Sequence, residues 1–376
     1  MKRYLEEYIK KDLAKKMVFL GGPRQVGKST LGFILLNDKL KEKSLGYFTW
    51  DSAKDRKKII NEELPFNQKL IVFDEIHKYS KWRNLIKGIY DKNKSSYQFL
   101  ITGSARLDYY RRGGDSLQGR YHYYRLHPIS LGELINQNQS FNLDDLFNYG
   151  GFPEVFFAKN KEDWQRWQNE RLTRVINEDL VSLERVQDVS SISLLADLLP
   201  SKVGSTFSYQ SLAEDLEVAN KSVKRWVEIL KNLYFCFMIS PYGNSKIRSL
   251  KKDTKLYLWD WSLCENNGAK FENMLACQLL KYCHFIEDTT GQKMELRYIR
   301  DTDKRELDFV VLKNNKPEFA VEAKINDKVI SPHIYYFKDR FKIPEFYQVN
   351  FKEESYQKDG IKVLNFTDFI EEKKLP

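Results

Sequence analysis

The sequence has no cysteine pattern typical of disulfide-linked or metal-bound small domains, and no apolar run long enough to cross a membrane. Its four cysteines, Cys236, Cys264, Cys277 and Cys283, have spacings that suit neither a disulfide framework nor a CxxC metal site. The longest apolar run, Leu233–Ile239, is far shorter than the roughly 20 residues that span a bilayer. Lysine and glutamate alternate ahead of the first apolar run, a pattern unlike a secretory signal. We therefore predict a cytoplasmic protein without a membrane segment.

The chain does have a globular composition and a localised positive charge. Hydrophobic residues make up 42% and charged residues 30% of its 376 residues, which excludes long disorder and fibrous classes and suggests two or three domains. The net charge is +10, and residues 1–150 carry all of it, with 27 basic against 17 acidic side chains. Such an excess fits a polyanionic partner such as nucleotide or nucleic acid, and it fits a solvated lysine surface equally well.

The order of apolar runs predicts an α/β protein. Over residues 1–130, short apolar runs alternate with amphipathic stretches of helix length, which favours a parallel sheet covered on both faces. These predicted strands are Met17–Leu20, Tyr47–Trp50, Leu70–Phe73, Phe99–Thr102 and Tyr121–Leu126. Residues 131–205 are helical in pattern, residues 206–254 have the pattern of a winged helix-turn-helix, and residues 255–376 are mixed α/β. The strand-like runs of this last part are Lys255–Trp259, Glu295–Ile299, Leu307–Leu312 and Phe319–Ala323.

One glycine-rich segment matches a phosphate-binding loop in full. Residues 22–29, GPRQVGKS, fit the G-x-x-x-x-G-K-[ST] pattern between an apolar strand and an amphipathic helix. Its glycines let the loop curl so that backbone N–H groups and the helix N-terminus face phosphate oxygens. Lys28 would reach the β and γ phosphates, and Ser29 would ligate Mg²⁺. The predicted nucleotide-binding residues are Gly22, Pro23, Arg24, Gln25, Val26, Gly27, Lys28, Ser29 and Thr30.

A buried strand ends in two carboxylates, Asp74 and Glu75, about 45 residues after the loop. Asp74 would hold the magnesium shell and Glu75 would polarise an attacking water. The second carboxylate is typical of nucleotide hydrolysis rather than of phosphoryl transfer to a small molecule. The spacing fits one intervening βα unit.

Hydroxyl and guanidinium groups follow the next predicted strand. Thr102 and Ser104 lie where a polar group would sense the γ-phosphate. Of the arginines that come next, Arg120 is the preferred candidate for neutralising transition-state charge, because it follows a glycine and precedes a strand. A solvated role is the alternative for each of them. The other arginines are Arg106, Arg111 and Arg112.

Residues 160–163 spell NKED, which fits the NKxD pattern that reads guanine in GTPases. Here the pattern opens a charged helical segment instead of following a buried strand. We interpret it as a helix start, with Asn160 or Asp163 as the cap. Adenine nucleotides are therefore expected to bind at least as well as guanine nucleotides.

Residues 208–230 predict a helix-turn-helix, and the apolar strand Tyr234–Ile239 follows as a wing would. The second helix exposes basic side chains suited to phosphate contacts with DNA. Packing between domains is the alternative role of such a unit. The basic residues are Lys221, Lys224, Arg225 and Lys231.

Two segments near the C-terminus look like the arms of a hairpin. Residues 306–311 and 320–324 flank Asn314-Asn315, which predicts a turn. If the hairpin centres on Asn315, Asp308 lies across from Glu322 on one face of the sheet.

This hairpin suggests a metal site. Asp308 and Glu322 are hard oxygen ligands suited to Mg²⁺, and Lys324 would position or activate the water that attacks a phosphodiester. A helix beginning near residue 268 would present Glu272 to the same place. The alternative is a solvated hairpin face.

Together these segments resemble a family of bacterial and archaeal AAA+-like ATPases. The resemblance runs from GGPRQVGKST through FDEIHKYSKW, ITGSAR, GGFPEV and LAEDLEVANKSVKRWVEIL to ELDFVV and VEAK. It implies an ASCE-type P-loop core, a winged helix and a C-terminal domain like PD-(D/E)xK restriction endonucleases. In that domain the resemblance places the catalytic core on Glu272, Asp308, Glu322 and Lys324.

Two functions fit these predictions. In the first, ATP hydrolysis with Mg²⁺ gates a metal-dependent, nuclease-like DNA-processing domain. In the second, the protein is a nucleotide-controlled switch whose C-terminal domain binds nucleic acid or a protein partner without cleaving. ATP and Mg²⁺ are the expected cofactors, DNA is a candidate partner, and oligomerisation is left open.

Overall fold

The computed structural model describes residues 1–37, 44–103, 117–137, 141–174, 189–243 and 254–376. The chain forms two compact units, Met1–Pro128 and Ile129–Pro376. Within the described ranges, no helix is both long and apolar enough to cross a membrane.

The first unit is built on a sheet of five parallel strands, as the apolar runs predict. The strands are β1 Met17–Gly21, β2 Tyr47–Thr49, β3 Leu70–Asp74, β4 Gln98–Thr102 and β5 Tyr121–Arg125. Their spatial order is β2-β3-β4-β1-β5, and every neighbouring pair is parallel. The helices are α1 Glu6–Leu13, α2 Lys28–Leu35, α3 Ala53–Ile60 and α4 Trp82–Asn93, with a 3₁₀ turn at Ile76–Lys78.

The order of these strands brings the predicted nucleotide residues together. All five residues of β1 and all five of β3 are buried, which explains their continuous apolar character. Strand β4 lies between them, so that Asp74 and Thr102 are register partners at the carboxyl ends of adjacent strands. Because parallel strands end at the same edge, the loop after β1, the acids after β3 and the hydroxyl of Thr102 share one edge of the sheet.

The second unit contains most of the helices. They are α5 Leu131–Ile135, α6 Leu143–Tyr149, α7 Pro153–Ala158, α8 Lys161–Arg174, α9 Val189–Leu198, α10 Tyr209–Asp215, α11 Asn220–Asn232, α12 Asn267–Thr290, α13 Pro332–Lys338 and α14 Phe366–Lys373. Helices α10 and α11 are consecutive and lie in the segment where a helix-turn-helix is predicted, and Ser208 caps α10 by accepting a hydrogen bond from the backbone N–H of Ser211. The amphipathic face of α11 buries Val223, Trp226, Val227 and Leu230.

The second unit also contains an eight-stranded mixed sheet. Its strands are β6 Cys236–Pro241, β7 Lys255–Leu258, β8 Met294–Arg300, β9 Glu306–Lys313, β10 Lys316–Lys324, β11 Phe346–Asn350, β12 Tyr356–Lys358 and β13 Ile361–Asn365. The order is β12-β13-β11-β10-β9-β8-β6-β7. Strand β6 pairs with both β7 and β8, so the strands that follow the helix-turn-helix join the C-terminal sheet.

Candidate nucleotide site and C-terminal carboxylate cluster

The loop between β1 and α2 has the backbone that its glycines permit. Gly22 has φ +137°, and a Cβ there would lie 2.3 Å from the carbonyl oxygen of Leu126. Gly27, which caps α2, has φ +94°, and Gln25 also has a positive φ. A side chain at Gly22 would clash with fixed backbone, so the glycine in the motif is required by packing as well as by conformation.

Lys28 begins α2 and is only 7% exposed. Its Nζ donates hydrogen bonds to the carbonyl oxygens of Gly22 at 3.0 Å and Pro23 at 2.6 Å. The ammonium is therefore held over the loop, where the pattern predicts that it meets phosphate. The other predicted loop side chains are buried Val26, half-buried Arg24 and Gln25, and exposed Thr30.

Asp74 accepts hydrogen bonds from three hydroxyl groups. Ser29 Oγ donates to its Oδ2 at 2.8 Å, and Thr102 Oγ1 donates to its Oδ1 at 2.5 Å. The third donor is Tyr47 Oη, which the sequence analysis missed because Tyr47 begins its strand instead of ending it at the carboxyl edge. Burial and then the charge of Asp74 raise the pKa of Tyr47, which keeps its hydroxyl protonated as a donor. The predicted grouping of Ser29, Asp74 and Thr102 is thus present in the fold.

Glu75 follows Asp74 in a left-handed conformation, with φ +56°. Its Oε2 lies 3.5 Å from His77 Nε2 and 3.6 Å from Lys78 Nζ, and it has no hydrogen-bond partner. Burial is the main cause that raises the pKa of Glu75, and Asp74 adds to it, while Lys28 and Lys78 oppose the rise. A carboxylate with a raised pKa and an unshared oxygen has the properties of a general base.

Arg3 braces the loop from outside the motif. Its guanidinium is buried and donates to the carbonyl oxygens of Val26 and His127, both at 2.6 Å. Beside it, Tyr4 Oη donates to the carbonyl oxygen of Arg125 at 2.6 Å. Sequence spacing gave no signal for this role, because an arginine near the amino terminus has no pattern that links it to residue 26.

Arg120 does not lie at the nucleotide edge. The prediction that it neutralises transition-state charge at the nucleotide of the same chain therefore does not fit its position. Arg120 directly precedes β5, and its backbone oxygen accepts from the N–H of Met17 at the start of β1. Its guanidinium binds Asp91 Oδ1 at 2.9 Å and Oδ2 at 3.1 Å. The loop follows the other end of β1, so Arg120 is separated from it by the length of the strand. Ser104, Arg106, Arg111 and Arg112 lie outside the described residues.

The NKED segment caps a helix, as interpreted from its position. Asn160 Oδ1 accepts hydrogen bonds from the backbone N–H groups of Glu162 at 2.8 Å and Asp163 at 3.1 Å. Its side-chain amide is therefore used to start α8.

The β9–β10 hairpin has the predicted turn and face. Asn314 and Asn315 both have positive φ, and the strands pair antiparallel up to Val321 with Phe309. Continuing that register by one residue sets Glu322 opposite Asp308, and Asp308 Oδ2 accepts from the backbone N–H of Ala323 at 2.9 Å.

Glu322 and Lys324, both on β10, form an ion pair beside Asp308. Lys324 Nζ lies 3.0 Å from Glu322 Oε1, while Oε2 of Glu322 is buried without a hydrogen-bond partner. Burial and then the charge of Asp308 raise the pKa of Glu322, and Lys324 opposes the rise. The unpartnered oxygen fits a cation held between Asp308 and Glu322.

Glu272 lies in the same place as Asp308, because the ammonium of Lys255 contacts an oxygen of each of the two carboxylates. Its Oε1 accepts from Tyr257 Oη at 2.7 Å and from Lys255 Nζ at 3.2 Å. Lys255 is 1% exposed, and its ammonium also lies 2.5 Å from Glu306 Oε1 and 3.5 Å from Asp308 Oδ1. Within the described ranges, no three His, Cys, Asp or Glu side chains are grouped so that they could hold a metal ion.

Three families match successive parts of the chain. Residues 14–135 match a family described as an AAA domain. Residues 140–269 and 267–369 match two families that are each described as a domain of unknown function, DUF8612 and DUF4143.

Individual relatives are distant. Uncharacterized protein MJ1544 of Methanocaldococcus jannaschii is 22% identical over 95% of this chain and 86% of its own length. Uncharacterized protein Rv2008c of Mycobacterium tuberculosis is 26% identical over 66% of this chain, which spans about half (55%) of that relative. Among solved structures, the RuvB Holliday junction branch migration motor of Thermotoga maritima has 17% identity and a TM-score of 0.32, covering 65% of this chain and 93% of its own.

The matched family and the parallel sheet agree on the first unit. The strand order brings the loop and the two acidic residues to one edge of the sheet, and all of them lie within residues 14–135. The first unit therefore has both the sequence match to an AAA domain and a parallel sheet with a phosphate-loop motif at one edge.

Proposed function

We propose that this protein binds and hydrolyses ATP with Mg²⁺ at the edge formed by Lys28, Ser29, Asp74, Glu75 and Thr102. The observation that carries the proposal is the meeting of Ser29 and Thr102 on the two oxygens of Asp74. Ser29 and Asp74 are the residues that would hold Mg²⁺, and the ion would supply positive charge to the phosphates. Lys28 would bind the β and γ phosphates.

Glu75 would act as the general base of ATP hydrolysis. Its carboxylate accepts a proton from the water that attacks the γ-phosphate, and its raised pKa makes it a stronger base than an exposed glutamate. Thr102 holds Asp74 in place through its hydroxyl. Arg3 and the backbone of Gly22 keep the loop in shape.

The test compares ATP binding with ATP turnover. Lys28→Ala should lose nucleotide binding, because the phosphates lose the ammonium of the loop. Glu75→Gln should bind ATP and hydrolyse it on the order of 10²–10⁴ times more slowly, since an amide cannot accept the proton. Glu63→Gln is the matched control, because Glu63 is exposed and contacts Asn61. Parental turnover in Glu75→Gln would contradict the assignment of the base.

The second unit supports a second candidate function, metal-dependent phosphodiester cleavage coupled to ATP turnover. The specific observation is that Asp308 faces Glu322 beside Lys324, and that one Glu322 oxygen has no partner. Asp308 and Glu322 would hold Mg²⁺, and Lys324 would orient water. Glu272 is left out of this proposal because Lys255 and Tyr257 bind it.

The alternative is a nucleotide-controlled switch whose second unit binds nucleic acid or protein without cleaving it. The exposed lysines Lys221 and Lys224 of α11 support contact with DNA phosphate in either case. Incubating the protein with a DNA panel and Mg²⁺ or Mn²⁺, with and without ATP, separates the two. Cleavage that is lost in Asp308→Ala supports the nuclease, whereas ATP-dependent binding without cleavage supports the switch.

A further inference from the structure

A lysine, Lys255, lies at the centre of the C-terminal carboxylate cluster. Its ammonium is within 3.5 Å of oxygens from Glu272, Glu306 and Asp308. These groups come from three elements, β7, α12 and β9, so only the folded sheet brings them together. The ring of Tyr298 lies 5.5 Å from the same nitrogen.

The cluster needs this positive charge. Carboxylates packed together and largely shielded from water repel one another, and a buried charge without a partner is strongly destabilising. Lys255 is the buried cation that meets the three carboxylates, and Arg300 adds a second contact to Glu306 at 3.4 Å. An ammonium surrounded by oxygens from three side chains meets the same electrostatic need as a bound metal ion.

Glu272 is enclosed on both sides by protein. Its Oε1 accepts from Lys255 and Tyr257. A Cβ built on Gly204 would lie 2.8 Å from its Oε2, so backbone packs closely against that oxygen. One oxygen of Glu272 is therefore bound by Lys255 and Tyr257 and the other lies against Gly204, whereas Glu322 keeps a buried oxygen without a hydrogen bond.

We propose that Lys255 is the built-in cation of this cluster, which lets the second unit fold without divalent metal and leaves only Asp308 and Glu322 open to an added ion. The four predicted site residues then divide by role. Glu272 binds Lys255. Asp308 contacts Lys255 as well and also forms the pair with Glu322. The inference holds whether or not the pair cleaves DNA, so a negative nuclease assay leaves it unaffected.

The test measures Mn²⁺ binding and thermal unfolding on the full chain without nucleotide. The parent protein should be folded in EDTA, and millimolar Mn²⁺ should raise its unfolding temperature only slightly, through binding at Asp308 and Glu322. Lys255→Met removes the charge and leaves an unbranched side chain that is one atom shorter. This variant should unfold at a lower temperature in EDTA, regain stability with Mn²⁺, and bind Mn²⁺ at least tenfold more tightly than the parent.

Two further variants make the result specific. Lys352→Met removes an exposed charge that pairs with Asp144 outside the cluster, and it should not create metal-dependent folding. Lys255→Met combined with Glu272→Gln removes one charge of each sign. It should fold in EDTA with parental Mn²⁺ affinity, and it decides the question if Lys255→Met alone does not fold.

Several outcomes would overturn the proposal. A parent protein that unfolds in EDTA would need a metal that Lys255 does not replace. A folded Lys255→Met variant with unchanged Mn²⁺ affinity would show that the ammonium does not occupy a cation position. A double variant that cannot fold without Mn²⁺ would show the same.

Discussion

Asp308 and Glu322 face each other across the β9–β10 hairpin because one strand carries an extra residue. Near the turn, Lys316 pairs with Lys313 and Pro317 with Leu312, but after Glu318 the register shifts by one. Without that bulge Val321 would pair with Asp308, and Glu322 would point to the other face. The shared face of the two carboxylates thus depends on the irregularity at Glu318.

The proximity of Asp308 makes ionisation of Glu322 unfavourable in the folded state. The stability of the protein should therefore depend on pH. Burial and Asp308 raise the pKa of Glu322 to about 8 in the folded state, from 4.5 for an ordinary glutamate. The folded protein therefore binds an extra proton between these values, and stability falls as pH rises through them. Glu322→Gln mimics the neutral form.

We expect Glu322→Gln to be more stable than the parent by about 2 kcal/mol at pH 8.5, because the parent must then ionise a buried carboxyl group beside Asp308. The advantage should vanish near pH 4. Chemical unfolding at the two pH values measures it. Glu353→Gln, with its exposed partner Lys328, is the control. A constant difference at both pH values would contradict the prediction.

The brace from Arg3 to the loop gives a prediction about nucleotide affinity. Arg3→Met removes two buried hydrogen bonds from a charged donor to Val26 and His127, each contributing roughly 1.5–3 kcal/mol. ATP affinity should fall about tenfold, because the loop no longer holds the shape that binds phosphate. Nucleotide titration of Arg3→Met and of the exposed control Lys2→Met measures the effect. Parental affinity in a folded Arg3→Met would remove Arg3 from the site.

Lys78 gives a prediction about the pH profile of hydrolysis. Its ammonium lies 3.6 Å from Glu75 and lowers the pKa of that carboxyl, while burial and Asp74 raise it. A general base must be ionised, so activity should fall on the acid side as pH drops through the pKa of Glu75. Lys78→Met should move this limb to higher pH. Lys92→Met, which removes an exposed pair with Glu62, should leave the limb in place, and an unshifted limb in Lys78→Met would disprove the role of Glu75.

The cap at Asn160 gives a prediction about base preference. Its side chain binds the first turn of α8, so Asn160→Ala should cost about 1 kcal/mol of stability and leave nucleotide preference unchanged. Adenine nucleotides should bind at least as well as guanine nucleotides in both proteins. Competition titrations with ATP and GTP test this. A marked GTP preference that disappears in Asn160→Ala would restore the guanine-reading interpretation.

The nucleotide edge was largely readable from the sequence. Its loop is contiguous, and the glycines at 22 and 27 are fixed by local conformation. Asp74 and Thr102 could be placed as well, because buried parallel strands put their carboxyl ends at one edge. The hairpin turn at Asn314 and Asn315 followed from the same kind of local rule.

Only the tertiary structure decided which distant charges meet. Lys255 reaches Glu272 and Glu306 through the pairing of strands and the packing of α12, and no spacing along the chain encodes that distance. The same holds for Arg3 on the loop and for Arg120, whose position before β5 fixes it at the opposite end of the strands. Local conformation depends on residues that are close in sequence, so short motifs predict it. Charge compensation in a core depends on three-dimensional proximity, which only the folded chain supplies.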